Sequence, residues 1–338
     1  MQKLLFSDEV EMPKAVNVAS VPQLSPFRYP GGKTWFVPRL REWLSSQPRK
    51  PKKLIEPFAG GGIVSLTSVS ENLVEAAHLV EIDREIAAVW ETLVGGNAEW
   101  LASRILSFDM TKDNAIEALS LKRKSSREVA FQTIIKNRTF HGGILAAGSG
   151  FLKNGEAGKG ILSRWYPTTL ARRIRNIDLI RARLSFECRD AFEVLKEHKN
   201  DEDSVFFIDP PYTAGGKKAG SRLYTHFQLN HERLFSICSE LAGDFIMTYD
   251  NASEVKDLAR DYGFQAKPIP MKNTHHAAMT ELVIGRDLEW MKGINRVLEE
   301  QVTYPAKCRE KGKKTRPIKA VNSRHKGSVH IQGSLPSK

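Results

Sequence analysis

Apolar positions come in short runs, broken by glycine and polar residues, and the runs alternate with stretches of helical period. LIEPFAGGGIVSL, from Leu54, starts as an apolar strand, passes through a glycine turn and enters a helix near Ile63. HLVEID, 78–83, is a second short strand, and REIAAVWETLV reads as the helix after it. SVFFID, 204–209, is strongly apolar, and DFIMTYD (244–250) and TELVIGR (280–286) are two further strands. Strands alternating with helices predict an α/β fold built on a doubly wound, mostly parallel sheet.

Between the two strand groups the pattern changes. GGILAAGSGFLKNGEAGKG is glycine-rich and reads as loop. TTLARRIRNIDLIRARLSF follows, with Leu170, Ile174, Ile177 and Leu184 recurring at helical spacing. That stripe reads as core. Arg172, Arg173, Arg175, Arg181 and Arg183 lie mostly off it, on a face that suits solvent or phosphate. Residues 1–24 lack periodicity and read as a loose arm, and the chain's last segment is too poor in apolar residues to pack.

Charge sharpens this division. The 338 residues carry a net +12, but residues 305–338 alone hold ten Lys/Arg against one acid. Residues 120–185 hold fourteen Lys/Arg and three acids, on a body otherwise acidic. Such segregation is the footprint of a polyanion-binding segment. No apolar run approaches the roughly 20 residues of a membrane helix, and the N-terminal apolar stretch is too short for a signal peptide. Three scattered cysteines, Cys188, Cys238 and Cys308, suggest neither disulfides nor a metal site, and a reducing, cytoplasmic setting is expected.

Candidate chemistry sits at the breaks. In FAGGG, 58–62, glycines let the backbone turn tightly and approach a ligand without a Cβ in the way. Asp83 ends the next strand, where an acid can accept hydrogen bonds from ribose hydroxyls, or cap the following helix. This pair fits nicotinamide, flavin and S-adenosylmethionine enzymes alike. In FRYPGGKTWF, Lys33 starts a helix after a Pro-Gly-Gly turn, either as partner to a ligand carboxylate or as a solvated lysine.

The sharpest signal is FFIDPPYTAGG, 206–216. Ligands bind at the carboxyl ends of strands in an open parallel sheet. Asp209 stands at such an end, and Pro210 and Pro211 cannot continue a ladder and stiffen the backbone. A carboxylate, outward carbonyls and the ring of Tyr212 make a receptor for a flat ring bearing an amino group.

With RYPGGK (28–33), EPFAGGG (56–62), VEID (80–83), KNR and HGG (136–143), DAF (190–192) and IDPPY (208–212) in this order, residues 25–290 resemble the Dam-like, D12 class DNA adenine methyltransferases. The resemblance implies a Rossmann-like methyltransferase fold with an inserted, largely helical DNA-recognition domain. Its parts would be a cofactor-binding part (25–115), a basic target-recognition domain (116–185), a catalytic part (186–300) and a basic tail (301–338). It implies S-adenosylmethionine as cofactor, contacted by Tyr29 and Lys33. Phe58, Gly60 and Gly62 would shape the methionine pocket, Asp83 would hold the ribose, and Asp190 and Phe192 would flank the cofactor adenine. Asp209, also beside the cofactor, Pro210 and Tyr212 would hold the target adenine, flipped out of double-stranded DNA. Asn137, Arg138 and His141 resemble the family's DNA-contacting segment, with helix-end capping as the plainer reading. Arg172, Arg173, Lys217, Lys218 and Arg222 are candidate phosphate contacts. No metal and no membrane are expected, and the chain would be a monomer or weak dimer.

Other readings compete. Cytosine amino-methylation uses the same physics, RNA is an alternative substrate, and a non-catalytic DNA-binding relative would free Asp209 and Tyr212 to vary. An oxidoreductase would have no use for Asp-Pro-Pro-Tyr. Carbon-5 cytosine methylation needs a cysteine thiolate, and no Pro-Cys dipeptide occurs.

Overall fold

A seven-stranded sheet of order β3-β2-β1-β4-β5-β7-β6 organises the chain. The computed structural model describes residues 20–28, 31–122, 125–211, 229–272 and 278–291. Strands β1 (Lys53–Glu56), β2 (Ala76–Val80), β3 (Leu184–Glu187), β4 (Ser204–Ile208) and β5 (Phe245–Asp250) are parallel. Strand β7 (Ala278–Gly285) runs antiparallel between β5 and β6 (Gln265–Lys272). All five residues of β4 are buried, as a parallel strand covered on both faces requires.

The pleat divides the core. Leu54 and Phe207 face one apolar cluster with Trp43, Leu66 and Trp90. Their neighbours Ile55 and Phe206 face the other, with Phe235, Phe245 and Tyr249. Helices α1 (Val37–Ser45) and α2 (Ile63–Ser70) contribute to the first cluster, and α8 (Ala191–Glu197), α9 (His231–Ser239) and α10 (Ser253–Asp261) to the second. Helix α3 (Arg84–Val94) begins at the cap Asp83, buries Ile86, Val89, Trp90 and Leu93 at helical spacing, and stops before Gly95.

The basic middle joins the same body. Helix α6 (Ser126–Thr139) packs on α3, and α7 (Pro167–Leu179) packs on α4 (Ala98–Leu106), with α5 (Lys112–Ser120) against α6. Lys136 Nζ reaches Glu85 Oε1 at 2.5 Å, pinning α6 to α3. Leu170, Ile174 and Ile177 belong to the first cluster, so the apolar stripe is core.

Two strands escape the periodicity. The helical stripe expected through Leu184 ends at Leu179, and Leu184 opens β3. Strand β6 carries Pro268 and Pro270 and lies at the sheet edge. Two residues apart, both prolines turn their missing N–H to the same side. The ladder to β7 survives because that side faces away from it.

Candidate active site

The strand order reverses between β1 and β4, and a pocket opens at the carboxyl ends of β1, β2 and β4. Its floor is the glycine turn. Gly60 (φ 45°) and Gly62 (φ 61°) take left-handed backbone that a side chain disfavours. A Cβ on Gly62 would also stand 2.5 Å from Cζ2 of Trp90. The Trp90 indole N–H donates to the Gly60 carbonyl at 2.9 Å and locks the turn.

Carboxylates ring this floor. Glu56, at the end of β1, accepts from the Ser65 amide (3.0 Å) and hydroxyl (2.5 Å), and burial pushes its carboxyl up to about 8. Glu81, just past β2, accepts from the amides of Gly60 (3.0 Å), Ile82 and Asp83 (both 2.9 Å), and burial pushes it up to about 7. Asp83 caps α3, accepting from the Glu85 amide at 2.8 Å, and also lines the pocket. Asp190 caps α8 through the Phe192 amide at 2.8 Å. The Phe192 ring is buried beneath the Arg233 guanidinium, 4.6 Å from its centroid, and with Phe58 forms an aromatic part of the wall.

Asp209 stands at the end of β4. Thr248 donates its hydroxyl to Oδ1 at 2.8 Å, and Lys33 Nζ lies 2.8 Å from Oδ2. Lys33 is buried, reaching Glu281 Oε2 at 3.5 Å and donating to the Gly31 carbonyl at 3.0 Å. Of the two expectations for Lys33, solvation is excluded, and the carboxylate that it meets is the chain's own. Pro210 is buried and Pro211 lines the pocket. Tyr29, Tyr212, Lys217, Lys218 and Arg222 lie outside the described residues.

The structure thus gathers Lys33, Phe58, Gly60, Gly62, Asp83, Asp190, Phe192 and Asp209 around one cavity. The sequence reasoning passed over Glu56, Glu81, Glu281 and Ile82, an exposed apolar residue on the pocket wall. The first two stand in EPF and VEID, acids at strand ends, which is the signal that had marked Asp83. Ile82, between Glu81 and Asp83, had no such mark.

The DNA candidates scatter. His141 and Arg172 are exposed, and Arg173 is half-buried with one N–H on the Ser25 carbonyl at 3.2 Å. Asn137 has no exposed surface. Its amide N–H groups donate to the Arg28 and Gly143 carbonyls, both at 2.9 Å, and its oxygen accepts from the Arg28 amide at 2.8 Å. Arg138 is buried and donates to the Pro26 carbonyl. Both residues therefore brace the chain from within, a role distinct from the DNA contact that the resemblance implies.

The residues present fit a cationic, adenosine-bearing ligand. Glu56 and Glu81 are carboxyls that burial holds toward the neutral form, which a ligand's positive charge would relieve. The left-handed glycine turn brings bare backbone to the cavity, and Ile82, Phe58 and Phe192 offer apolar faces for a base.

Sheet order and pocket together define a Rossmann-like fold with a ligand cleft, and the family match makes it an S-adenosylmethionine-dependent methyltransferase. The profile of the D12 class N6 adenine-specific DNA methyltransferases matches residues 29–273, and the chain belongs to that family. It is a DNA adenine methyltransferase. The Type II methyltransferase M.MjaIII of Methanocaldococcus jannaschii is 24% identical over 227 residues, covering 62% of this chain and 76% of that protein. Two solved structures with similar folds have lower identity. The rRNA methyltransferase aviRa of Streptomyces viridochromogenes is 14% identical with a TM-score of 0.34, covering 76% of this chain and 84% of its own. Precorrin-6y C5,15-methyltransferase of Geobacter metallireducens is 9% identical with a TM-score of 0.32, covering 82% and 93%. Among the described residues, no cluster of three His, Cys, Asp or Glu could hold a metal ion, and no helix is long and apolar enough to cross a membrane.

Proposed function

We propose that the target adenine swings out of double-stranded DNA and presents its amino group to Asp209. The observation that carries this reading is the fixed carboxylate at the end of β4, held by Thr248 and Lys33 on the pocket wall. S-adenosylmethionine, when bound, supplies an electrophilic methyl on a sulfonium. Glu81 and Asp83 are the candidates for its ribose hydroxyls, Ile82 and Phe192 for the faces of its adenine, and Glu56 for its cationic end.

An adenine amino nitrogen is a poor nucleophile because its lone pair is delocalised into the ring. Accepting its hydrogens, the Asp209 carboxylate and the Pro210 carbonyl favour a pyramidal, electron-richer nitrogen. As the nitrogen takes on positive charge, the fixed negative charge of Asp209 stabilises it and stands ready to receive the proton. Tyr212 would stack on the extruded base. Extrusion costs a few kcal/mol, offset by stacking and phosphate contacts.

Residues 116–185 are the candidate DNA-recognition segment, with His141 and Arg172 as candidate contacts on their exposure. Residues 1–24 and 301–338 would be an arm and a basic tail outside the catalytic body. The chain would work in the cytoplasm as a monomer or weak dimer.

The test incubates the protein with labelled cofactor and mixed-sequence duplex DNA and analyses the nucleosides by mass spectrometry. N6-methyladenine is expected from the native chain and none from Asp209→Ala. Equal product from both would remove Asp209 from the chemistry. A duplex with 2-aminopurine at the methylated position should brighten on binding, and unchanged fluorescence would refute extrusion.

A further inference from the structure

Four guanidiniums converge on the segment that leads into the active site, almost without counter-charge. Arg138, on α6, donates to the Pro26 carbonyl, and Arg173, on α7, to the Ser25 carbonyl at 3.2 Å. Arg28 follows in the same segment, its backbone clamped on both sides by Asn137. Arg164 lies close enough for its charge to act on both Arg28 and Arg138. Among the described residues, the one carboxylate paired with any of the four is Glu156, 3.5 Å from Arg164 Nε and itself exposed. Nε of Arg138 and Nη1 of Arg164 are buried and have no hydrogen-bond partner among the described residues. Burial first, and then the charges of Arg173, Arg28 and Arg164, push Arg138 down to about 9.

Burying a cation is costly unless a counter-charge answers it, and here like charges add to that cost. Guanidinium cannot escape by deprotonating at neutral pH. The arrangement is satisfied by an anion with several acceptor oxygens, and the planar fork of arginine matches phosphate geometry.

The place of the cluster says which phosphate. The Asn137 clamp that grips Arg28 also holds the Gly143 carbonyl at 2.9 Å, and Gly143 lines the active-site pocket. A Cβ on Gly143 would stand 2.5 Å from the Arg28 carbonyl oxygen, so pocket rim and arginine segment are in direct contact. Lys33, the partner of Asp209, is five residues beyond Arg28 in the chain.

We infer that Arg28, Arg164 and Arg173, backed by the buried Arg138, form a seat for a DNA backbone phosphate beside the extruded nucleotide. The inference rests on the proposed extrusion of an adenine into this pocket. It turns the arginines of the middle segment from general surface charge into a local anchor at the pocket mouth. Seating one phosphate there fixes the strand next to the base that must swing in.

Two measurements on the full chain test the seat. Binding of mixed-sequence duplex DNA is followed by fluorescence anisotropy across salt. Arg28→Gln and Arg164→Gln should each make the slope of log K against log salt shallower by about 1. Arg28→Lys should keep the native slope, and cofactor binding by calorimetry should not change. Native slopes in both glutamine variants would refute the seat. The second measurement needs no variant. Phenylglyoxal labelling of the native chain, read by peptide mass spectrometry, should lose reactivity at Arg28 when duplex DNA is added, with exposed Arg260 unaffected. Inorganic phosphate at the same phosphate concentration should not protect Arg28. Equal protection by inorganic phosphate, or none by DNA that the chain methylates, would overturn the inference. Absence of N6-methyladenine in the parallel assay would instead strike the functional reading itself.

Discussion

Lys33 Nζ stands 2.8 Å from Asp209 Oδ2 and 3.5 Å from Glu281 Oε2. A lone lysine against the Asp209 carboxylate would neutralise it. Among the described residues two carboxylates meet this one ammonium, so Lys33 can orient Asp209 without cancelling its field. Glu281, on β7, is the residue that restores the balance.

This relationship predicts separate effects on turnover and binding. Lys33→Gln should lower kcat by about tenfold or more, while the cofactor Kd moves by less than about threefold, the pattern of an interaction that matters after binding. Glu281→Gln should lower kcat less, and Glu281→Asp less again. Single-turnover kinetics and calorimetry read the two quantities. A large loss of cofactor affinity in Lys33→Gln with normal turnover would return the lysine to the cofactor.

Glu56 and Glu81 predict a pH dependence. Their folded carboxyls are raised to about 8 and about 7 by burial, above the unfolded value of 4.5. Between those limits the folded chain holds more protons than the unfolded chain, so their contribution to stability is full near pH 4.5 and is lost as pH rises through 7 and 8. The ligand-free protein should therefore melt at a lower temperature at pH 8.5 than at pH 6, and Glu56→Gln should flatten the difference. Cofactor binding, by bringing positive charge to these acids, should release protons at pH 7. Calorimetry in buffers of different ionisation heat measures that release.

The glycine turn predicts a non-additive pair. Gly62→Ala introduces a side chain at φ 61°, 2.5 Å from the Trp90 ring. It should destabilise by about 1–3 kcal/mol from backbone strain and overpacking. Trp90→Phe removes part of the crowding and also the hydrogen bond to Gly60, so the double variant should lose less than the sum of the singles. Additive losses in thermal melts would mean that the ring is not the obstacle.

Asn137 predicts a stability phenotype. Asn137→Ala removes three hydrogen bonds and leaves two buried backbone carbonyls and an amide without it, at about 1–3 kcal/mol for each group left unsatisfied. The melting temperature should fall well before any change in DNA affinity at low temperature. An unaltered melt with weakened DNA binding would make Asn137 a DNA contact.

The sheet's central strands were legible because β1, β4 and β5 are buried on both faces and read as continuous apolar runs. Asp83 and Asp209 were legible because each ends a strand, where the open sheet binds ligands, whereas Asp190 was marked only by the resemblance in DAF. Strand β6 was hidden by Pro268 and Pro270, which argue against a strand unless it lies at an edge. Strand β3 was hidden by Leu184, which fits the helical stripe as well as it fits the sheet. Glu281 could not be found from sequence, since its meaning depends on β7 returning antiparallel beside β5 and reaching Lys33, 248 positions earlier in the chain. Asn137 and Arg138 stand within the KNR stretch that the resemblance marked for DNA, and periodicity could not tell their inward face from an outward one.

The prolines of β6 have a further effect. Neither can donate to an incoming strand, so main-chain pairing of a second molecule onto that border is weakened. That border is thereby guarded against one common route to clumping.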